Sequence, residues 1–182
     1  MAAVEITFIN TPQTIHESRG EVIGKYDSHL CDVGKLQTKQ LSEKLTGLDV
    51  DIIFTSPLTH SKEAANLLFI RDFDIVEDPH ISECDFGDFN LSTLNYWKKE
   101  KYITTGYPNG ESYLDVGYRV QKFLEYLKSN HDSKKILVVS HESVRCALEV
   151  FLKERSFREV LEESQSKELD KRRDIIYRYT LK

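Results

Sequence analysis

Short apolar runs alternate with longer amphipathic segments along the chain. Runs rich in β-branched and aromatic residues predict strands at 4–9, 51–55, 73–76 and 136–139. Leucine, valine and alanine recur at helical spacing, with charged residues between them, and predict helices at 34–48, 59–70, 112–129 and about 142–152. Strands and helices therefore follow one another in regular alternation.

This alternation predicts the fold class. Strands that alternate with helices of moderate length favour a parallel sheet with helices on both faces. We therefore expect an α/β protein, a three-layer α/β/α sandwich with a mostly parallel sheet. Ligands of such sheets bind at the carboxyl ends of the strands, which directs attention to positions 10–14, 56–60 and 140–142.

Two segments depart from the alternation. Positions 85–110 combine glycine, proline and asparagine with six aromatic residues, and predict an excursion over the rim of the sheet with a short helix near 92–101. This excursion is either a lid or an interface. Positions 153–182 are highly charged and predict an exposed helix to about 170 and a strand at 175–181, with the basic run 171–173 as a solvated helix end. We expect one domain over 1–182, with 153–182 as its extension.

Composition narrows the class of protein. With 40% hydrophobic residues among 182 the chain can bury a core, and its net charge of −5 argues against nucleic acid as a partner. No apolar run approaches the ~20 residues of a membrane span, and the first residues do not form a signal peptide. The cysteines, Cys31, Cys84 and Cys146, form neither a disulfide framework nor a zinc motif. We expect a cytoplasmic protein with no membrane contact, metal or other cofactor.

Several common catalytic motifs are missing. The sequence contains no phosphate-binding GxxxxGK[ST] loop, no GxGxxG, no HExxH and no GxSxG. Nucleotide binding, zinc-dependent hydrolysis and serine esterase chemistry therefore have no support.

What remains is an ordered series of short segments. They are Ile-Thr-Phe-Ile-Asn-Thr-Pro-Gln-Thr at 6–14, Tyr-Asp-Ser-His-Leu-Cys-Asp-Val-Gly at 26–34, Ser-Pro-Leu-Thr-His at 56–60, Ile-Ser-Glu-Cys-Asp-Phe-Gly at 81–87, Gly-Glu-Ser at 110–112 and Val-Val-Ser-His at 138–141. In this order and spacing the chain resembles the histidine phosphatase superfamily, in its phosphoglycerate-mutase-like branch. The resemblance extends over about 6–152 and implies the same sandwich fold.

The resemblance also implies a phosphate pocket in which several family residues are replaced. The family's Arg-His-Gly triplet, whose histidine is the phosphorylated nucleophile, corresponds to Asn10, Thr11 and Pro12. A family asparagine corresponds to Glu17, and the phosphate-binding arginine after Ser-Pro-Leu corresponds to His60. Two family positions are retained, namely the proton donor at Glu83 and the second pocket histidine at His141.

These replacements lead to two hypotheses about function. Thr11 has no imidazole nitrogen to attack phosphorus, and phosphoryl transfer depends on cationic groups that this pocket has lost. We therefore predict a pseudo-phosphatase with no assigned catalytic residue, which binds a protein partner or a phosphate-like anion, alone, as an oligomer or within a larger assembly. The alternative is a weak phosphomonoesterase that uses His141 and Glu83, with His141 or His60 as the base for water or for Thr11. Most pocket residues also have an ordinary structural interpretation: His141 as a residual histidine bonded to neighbouring loops, Glu83 as a solvent-facing loop carboxylate, His60 as a helix-start residue, Thr11 as a polar turn residue and Asn10 as a loop cap.

Overall fold

A computed structural model describes residues 3–68, 73–93, 98–166 and 173–182 of the chain. Five strands in these ranges form one sheet in the order β3-β2-β4-β1-β5. Four strands are parallel, and β5 pairs antiparallel with β1 at the edge. The strands are β1 (Val4–Asn10), β2 (Ile52–Thr55), β3 (Ile75–Glu77), β4 (Lys135–Ser140) and β5 (Ile176–Leu181). The mostly parallel sheet is as predicted.

The helices in the described ranges follow the sequence pattern closely. They are α1 (Asp32–Lys44), α2 (Thr59–Leu68), α3 (Tyr113–Asn130), α4 (Glu142–Lys153) and α5 (Phe157–Ser166). Helix α1 begins earlier than predicted because Cys31 caps it, its sulfur accepting a hydrogen bond from the Gly34 N–H at 3.4 Å. Ser112 caps α3 in a capping box with Asp115, which fixes its start where the sequence placed it.

The two faces of the sheet bury separate cores. Successive strand residues point to opposite faces, so Phe8 and Val138 pack against α3, α4 and α5, whereas Ile9 and Val139 pack against α1 and α2. Helices therefore cover the sheet on both sides, which confirms the three-layer sandwich. In the parts of the chain that the structure describes, no helix is both long and apolar enough to cross a membrane.

The excursion at 85–110 contains two short 3-10 turns among its described residues, Gly87–Phe89 and Lys99–Tyr102. Positions 94–97, including Tyr96 and Trp97, belong to the helix predicted near 92–101 and lie outside the described residues. Tyr107 is buried and stacks on Tyr102 with ring centroids 3.9 Å apart. The described aromatic residues of this segment thus pack on the protein's own core.

The prediction for the basic run near the C-terminus is wrong at Arg173. This arginine was expected on a solvated helix end, but it is only 4% exposed. Its Nε donates to the backbone carbonyl of Thr11 at 3.2 Å, at the far end of the chain. Charge alone predicted exposure, but this guanidinium has partners inside the fold. The predicted helix end near 170 lies outside the described residues.

Candidate functional site

The carboxyl ends of β1 and β4 lie side by side and bring the predicted pocket together. Asn10 pairs in register with Ser140, and the Thr11 N–H donates to the Ser140 carbonyl at 2.6 Å. A cavity of about 40 Å³ opens at this edge of the sheet. It is lined by Asn10, Thr11, Glu17, Ile23, His60, Glu83, His141, Glu142 and Arg173. All six residues predicted for the pocket are in this lining.

His141 lies at the centre of a chain of hydroxyl groups. Its Nδ1 is 3.3 Å from Thr11 Oγ1, and its Nε2 is 2.8 Å from Ser56 Oγ and 3.3 Å from Ser61 Oγ. Burial, and next the neighbouring His60, hold the pKa of His141 well below its usual value, so the ring is neutral near pH 7. The contacts are satisfied when Nδ1 accepts the Thr11 hydroxyl proton and the Nε2 proton is donated to Ser56.

Glu83 is a half-buried carboxyl group at the same cavity. Removal from water raises its pKa and outweighs the opposing effect of hydrogen bonds from Ser143 and from the Cys84 N–H, which is 2.8 Å from Oε1. A carboxyl group with a raised pKa holds a proton that it can give to a leaving group. Its environment therefore suits the proton-donor role that the family resemblance implies.

His60 belongs to the pocket and not to the surface of α2. It is 1% exposed, and its ring lies 5.2 Å from the ring of His141. Nδ1 is 3.3 Å from the carbonyl oxygen of Ser28, whereas Nε2 has no hydrogen-bonding partner among the residues that the structure describes. Burial lowers the pKa of His60, so its Nε2 presents a lone pair in the neutral ring.

Three charged groups near the cavity complete the site. Arg173 forms an ion pair with Glu17, and Glu17 also accepts hydrogen bonds from the N–H and hydroxyl of Thr14. Glu142 accepts a hydrogen bond from Asn10 Nδ2 at 3.0 Å and is paired with Arg145. A helix N-terminus favours negative charge, and Glu142 begins α4 at the edge of the cavity.

The sequence analysis did not identify several residues that form the cavity or hold His141. Arg173 carried no usable signal, because it lies 162 positions from its Thr11 contact. Ser56 could have been found, since it ends β2 within the Ser-Pro-Leu segment that the family resemblance used. In the described ranges, no three His, Cys, Asp or Glu side chains are arranged to hold a metal ion.

Similar proteins point to phosphatases. The chain is 30% identical over 161 residues to a protein of Schizosaccharomyces pombe named a probable phosphatase, covering 85% of this chain and 76% of that one. It is 27% identical over 152 residues to phosphoserine phosphatase 1 of Hydrogenobacter thermophilus, covering 72% of each. The alpha-ribazole phosphatase structure from Shigella flexneri shares the fold, with a TM-score of 0.77 at 22% identity over 87% of this chain and 84% of that one.

The main functional hypothesis from the sequence is therefore wrong. The loss of the family histidine at Thr11 and of the arginine at His60 suggested a pseudo-phosphatase that acts by binding. The relatives are named as phosphatases. His141, moreover, lies in a connected network of threonine and serine hydroxyls that offers a nucleophile beside a base. The findings favour the phosphatase alternative.

The family itself is shown by a match to most of the chain. The family model of the histidine phosphatase superfamily, branch 1, matches residues 11–162. The order of the strands, the position of the cavity at their carboxyl ends and the similar solved structures agree with this match. The chain belongs to the histidine phosphatase superfamily, branch 1.

Proposed function

We propose that this protein is a phosphomonoesterase in which Thr11 is the nucleophile and His141 is its base. The observation that carries the proposal is the 3.3 Å contact between Thr11 Oγ1 and His141 Nδ1, with Nε2 of the same ring held by Ser56 at 2.8 Å. A hydroxyl nucleophile needs an adjacent base, and the base needs a third group that orients it. The names of the relatives support the phosphatase class.

In the first step the Thr11 oxygen attacks phosphorus and gives its proton to Nδ1 of His141. The bond from phosphorus to the leaving oxygen breaks, and Glu83 protonates that oxygen to release an alcohol. The products at this stage are a phosphorylated Thr11, an imidazolium at His141 and a carboxylate at Glu83. The raised pKa of Glu83 and the lowered pKa of His141 suit an acid and a base that start in these protonation states.

In the second step water attacks the phosphorylated threonine. The Glu83 carboxylate takes a proton from that water, and the His141 imidazolium returns its proton to the Thr11 oxygen as inorganic phosphate forms. A cavity of about 40 Å³ holds about three water-sized groups. This space matches the three non-bridging oxygens of a phosphoryl group, so we propose that the leaving group of the substrate remains outside the cavity.

The three cysteines bear on the cellular compartment in which the protein acts. All three cysteines are free thiols in the structure, and burial raises the pKa of Cys84 far above its usual value. Free cysteines are typical of a reducing compartment, so we propose that the protein acts in the cytoplasm.

The test is release of phosphate from 4-nitrophenyl phosphate by the wild type and two Thr11 variants. Thr11→Val keeps the shape of the side chain but removes the hydroxyl, and we expect its kcat to fall by about 10³-fold or more. Thr11→Ser keeps a hydroxyl, so it should retain a large share of the activity. His141→Gln and Glu83→Gln should each lower kcat by about 10²–10⁴-fold.

Thr38→Val is the matched control for Thr11→Val. Thr38 is a fully buried threonine of α1 that does not line the cavity. Acid-quenched wild type should also carry phosphate on Thr11 by peptide mass spectrometry. If Thr11→Val were active, Thr11 would not be the nucleophile, and water would be the group that attacks phosphorus. Wild type with no turnover above His141→Gln, tested at high protein concentration, would overturn the phosphatase itself.

A further inference from the structure

The cavity contains one permanently positive group among its described lining residues. This is Arg173, because the pKa values of His60 and His141 are lowered and both rings are neutral near pH 7. Glu142, at the start of α4 in the same lining, is already paired with Arg145. Transfer of a phosphoryl group requires positive charge near its oxygens. Arg173 is therefore the group in this cavity that can supply it.

Arg173 is also placed beside the proposed nucleophile. Its Nε donates to the backbone carbonyl of Thr11 at 3.2 Å, and its Nη2 is paired with Glu17. The guanidinium is 4% exposed, whereas the side chain of Glu17 is 19% exposed. Glu17 can therefore turn to water while Arg173 stays, which would release the Nη2 that now pairs with Glu17 to a new anion. Hydrogen bonds from a guanidinium N–H to a phosphate oxygen are charge-assisted and about twice as strong as neutral ones.

An unsatisfied group of the cavity indicates which anion would fit. His60 Nε2 is buried and has no hydrogen-bonding partner in the described ranges, and its Nδ1 is engaged with the Ser28 carbonyl. In the neutral ring this Nε2 accepts a hydrogen bond and cannot donate one. A phosphate that carries one proton offers an O–H to His60 and bare oxygens to Arg173. A carboxylate ligand has no such donor.

Arg173 comes from outside the part of the chain that the family model matches, which ends at 162. The resemblance placed the family's guanidinium groups at Asn10 and His60, which are neutral here. We propose that Arg173 binds the phosphoryl group in their place, and that Glu17 is an internal competitor which phosphate must displace. This inference rests on the proposed phosphatase function, because it names how the same cavity binds its substrate.

The test is the Kd for inorganic phosphate, measured by isothermal titration calorimetry at pH 6.5 on the full chain. Arg173→Gln should weaken binding at least about tenfold, which corresponds to about 1.4 kcal/mol. Glu17→Gln should tighten binding several-fold, because it removes the competing charge. The double variant Glu17→Gln/Arg173→Gln should bind no more tightly than Arg173→Gln alone, since the competition acts through the arginine.

A second arginine–glutamate pair provides matched controls. Arg155 and Glu163 are paired at 2.9 Å and do not line the cavity. Arg155→Gln changes the net charge by as much as Arg173→Gln does, and Glu163→Gln by as much as Glu17→Gln does. Because these residues lie outside the cavity, both variants should bind phosphate with a Kd within about twofold of the wild-type value. Circular dichroism of each variant shows whether it is folded, and Arg173→Lys, which keeps the charge, should bind with intermediate affinity if Arg173→Gln is unstable.

The outcomes separate this inference from the proposed function. Equal phosphate affinity in wild type and Arg173→Gln, or weaker binding by Glu17→Gln, would overturn the role of Arg173 even in an active enzyme. Arg173-dependent binding by a protein that releases no phosphate from esters would support the binding site and overturn the proposed catalysis. Phosphate binding needs no turnover, so the two results are independent.

Discussion

Arg145 and Arg173 are both buried and both paired with a glutamate that lines the cavity, but they are held very differently. Arg145 binds Glu142 through two hydrogen bonds, Nε at 2.9 Å and Nη2 at 2.8 Å. The same glutamate also accepts from Asn10 Nδ2 at 3.0 Å and from Ser164 Oγ at 2.8 Å. The guanidinium of Arg145 lies over the ring of Tyr177, 5.0 Å from its centroid.

The pair formed by Arg173 has a more exposed partner. Glu17 stands on a 3-10 turn near the surface and is held by Thr14 and by Arg173. A glutamate that is bonded on all sides within the fold cannot leave its arginine without loss of several hydrogen bonds. Glu17 is the more exposed of the two glutamates and can exchange its arginine for water while it keeps its bonds from Thr14. The difference supports two separate roles: Arg145 maintains the structure of the site, whereas Arg173 is the arginine that we propose for the ligand.

The largest expected effect that tests this comparison is on stability. Arg145→Gln leaves Glu142 buried without its cation and should lower the free energy of unfolding by about 3–5 kcal/mol. Arg173→Gln should cost clearly less, because Glu17 can be hydrated. Urea unfolding followed by circular dichroism measures both. Equal losses in the two variants would mean that the two pairs have the same structural role.

A double variant sharpens the result for Arg145. Replacing both partners, as in Glu142→Gln/Arg145→Met, removes the uncompensated charge that the single variant leaves behind. It should therefore recover part of the lost stability. A double variant less stable than Arg145→Gln would show that the other bonds of Glu142 matter more than its charge.

The sequence predicted the fold well because the two cores depend on local patterns. The apolar runs of β1 and β4 and the Ser112 cap of α3 are each readable from a few adjacent residues. The prediction failed at two places for different reasons. The start of α1 moved because a cysteine, an unusual residue for a helix cap, caps it locally, whereas Arg173 is buried because its partners, the Thr11 carbonyl and Glu17, lie far away along the chain.

The structure brings the six residues predicted for the pocket to one cavity, but the functional conclusion drawn from them was wrong. The rule that ligands bind at the carboxyl ends of parallel strands brought Thr11, His60 and His141 together. The residue types at Thr11 and His60 then suggested that catalytic activity had been lost. Tertiary structure creates the contact between Thr11 and His141 and places Arg173 beside Thr11. Neither can be predicted from the spacing of residues along the chain.

A second expected effect uses pH to compare the same two regions. His60 and His141 have lowered pKa values in the folded state, so the unfolded chain binds their protons more readily. Their contribution to stability is present above the ordinary value of 6.5 and is lost as the pH falls below it. Each such histidine accounts for up to about 1.4 kcal/mol per pH unit.

The stability that the region around Arg145 contributes should fall only at a lower pH. Burial alone would raise the pKa of its neighbour Glu149, but hydrogen bonds from Lys153 and Tyr179 outweigh burial and lower it. The stability that Glu149 contributes is present above 4.5 and is lost as the pH falls through its lowered value. As the pH falls, the stability contributed by His60 and His141 should therefore be lost before the stability contributed by Glu149.

The measurement is the free energy of unfolding from urea curves between pH 7 and pH 4. His29, whose pKa Glu63 raises, acts in the opposite direction, so the comparison is made between wild type and His60→Asn. The variant should lose less stability than the wild type as the pH falls below 6.5. Identical curves over the whole range would contradict a neutral, buried His60.

The smallest expected effect concerns one hydroxyl group of the Arg145 region. Ser164 is buried, and its Oγ donates to Oε1 of Glu142 at 2.8 Å. Ser164→Ala should lower the free energy of unfolding by about 1–2 kcal/mol, because the bond is made to a charged acceptor away from water. Arg145 still holds Glu142 in the variant, so the Kd for phosphate should not change.

Ser18→Ala is the matched control for Ser164→Ala. The Ser18 hydroxyl donates to the Ile15 carbonyl at 2.7 Å, but Ser18 is exposed and can bond to water instead. We expect a change within about 0.5 kcal/mol for Ser18→Ala in the same urea experiment. If Ser164→Ala weakened phosphate binding as strongly as Arg173→Gln does, Glu142 and Arg145 would belong to the ligand site. The separation of a structural from a ligand-binding arginine would then fail.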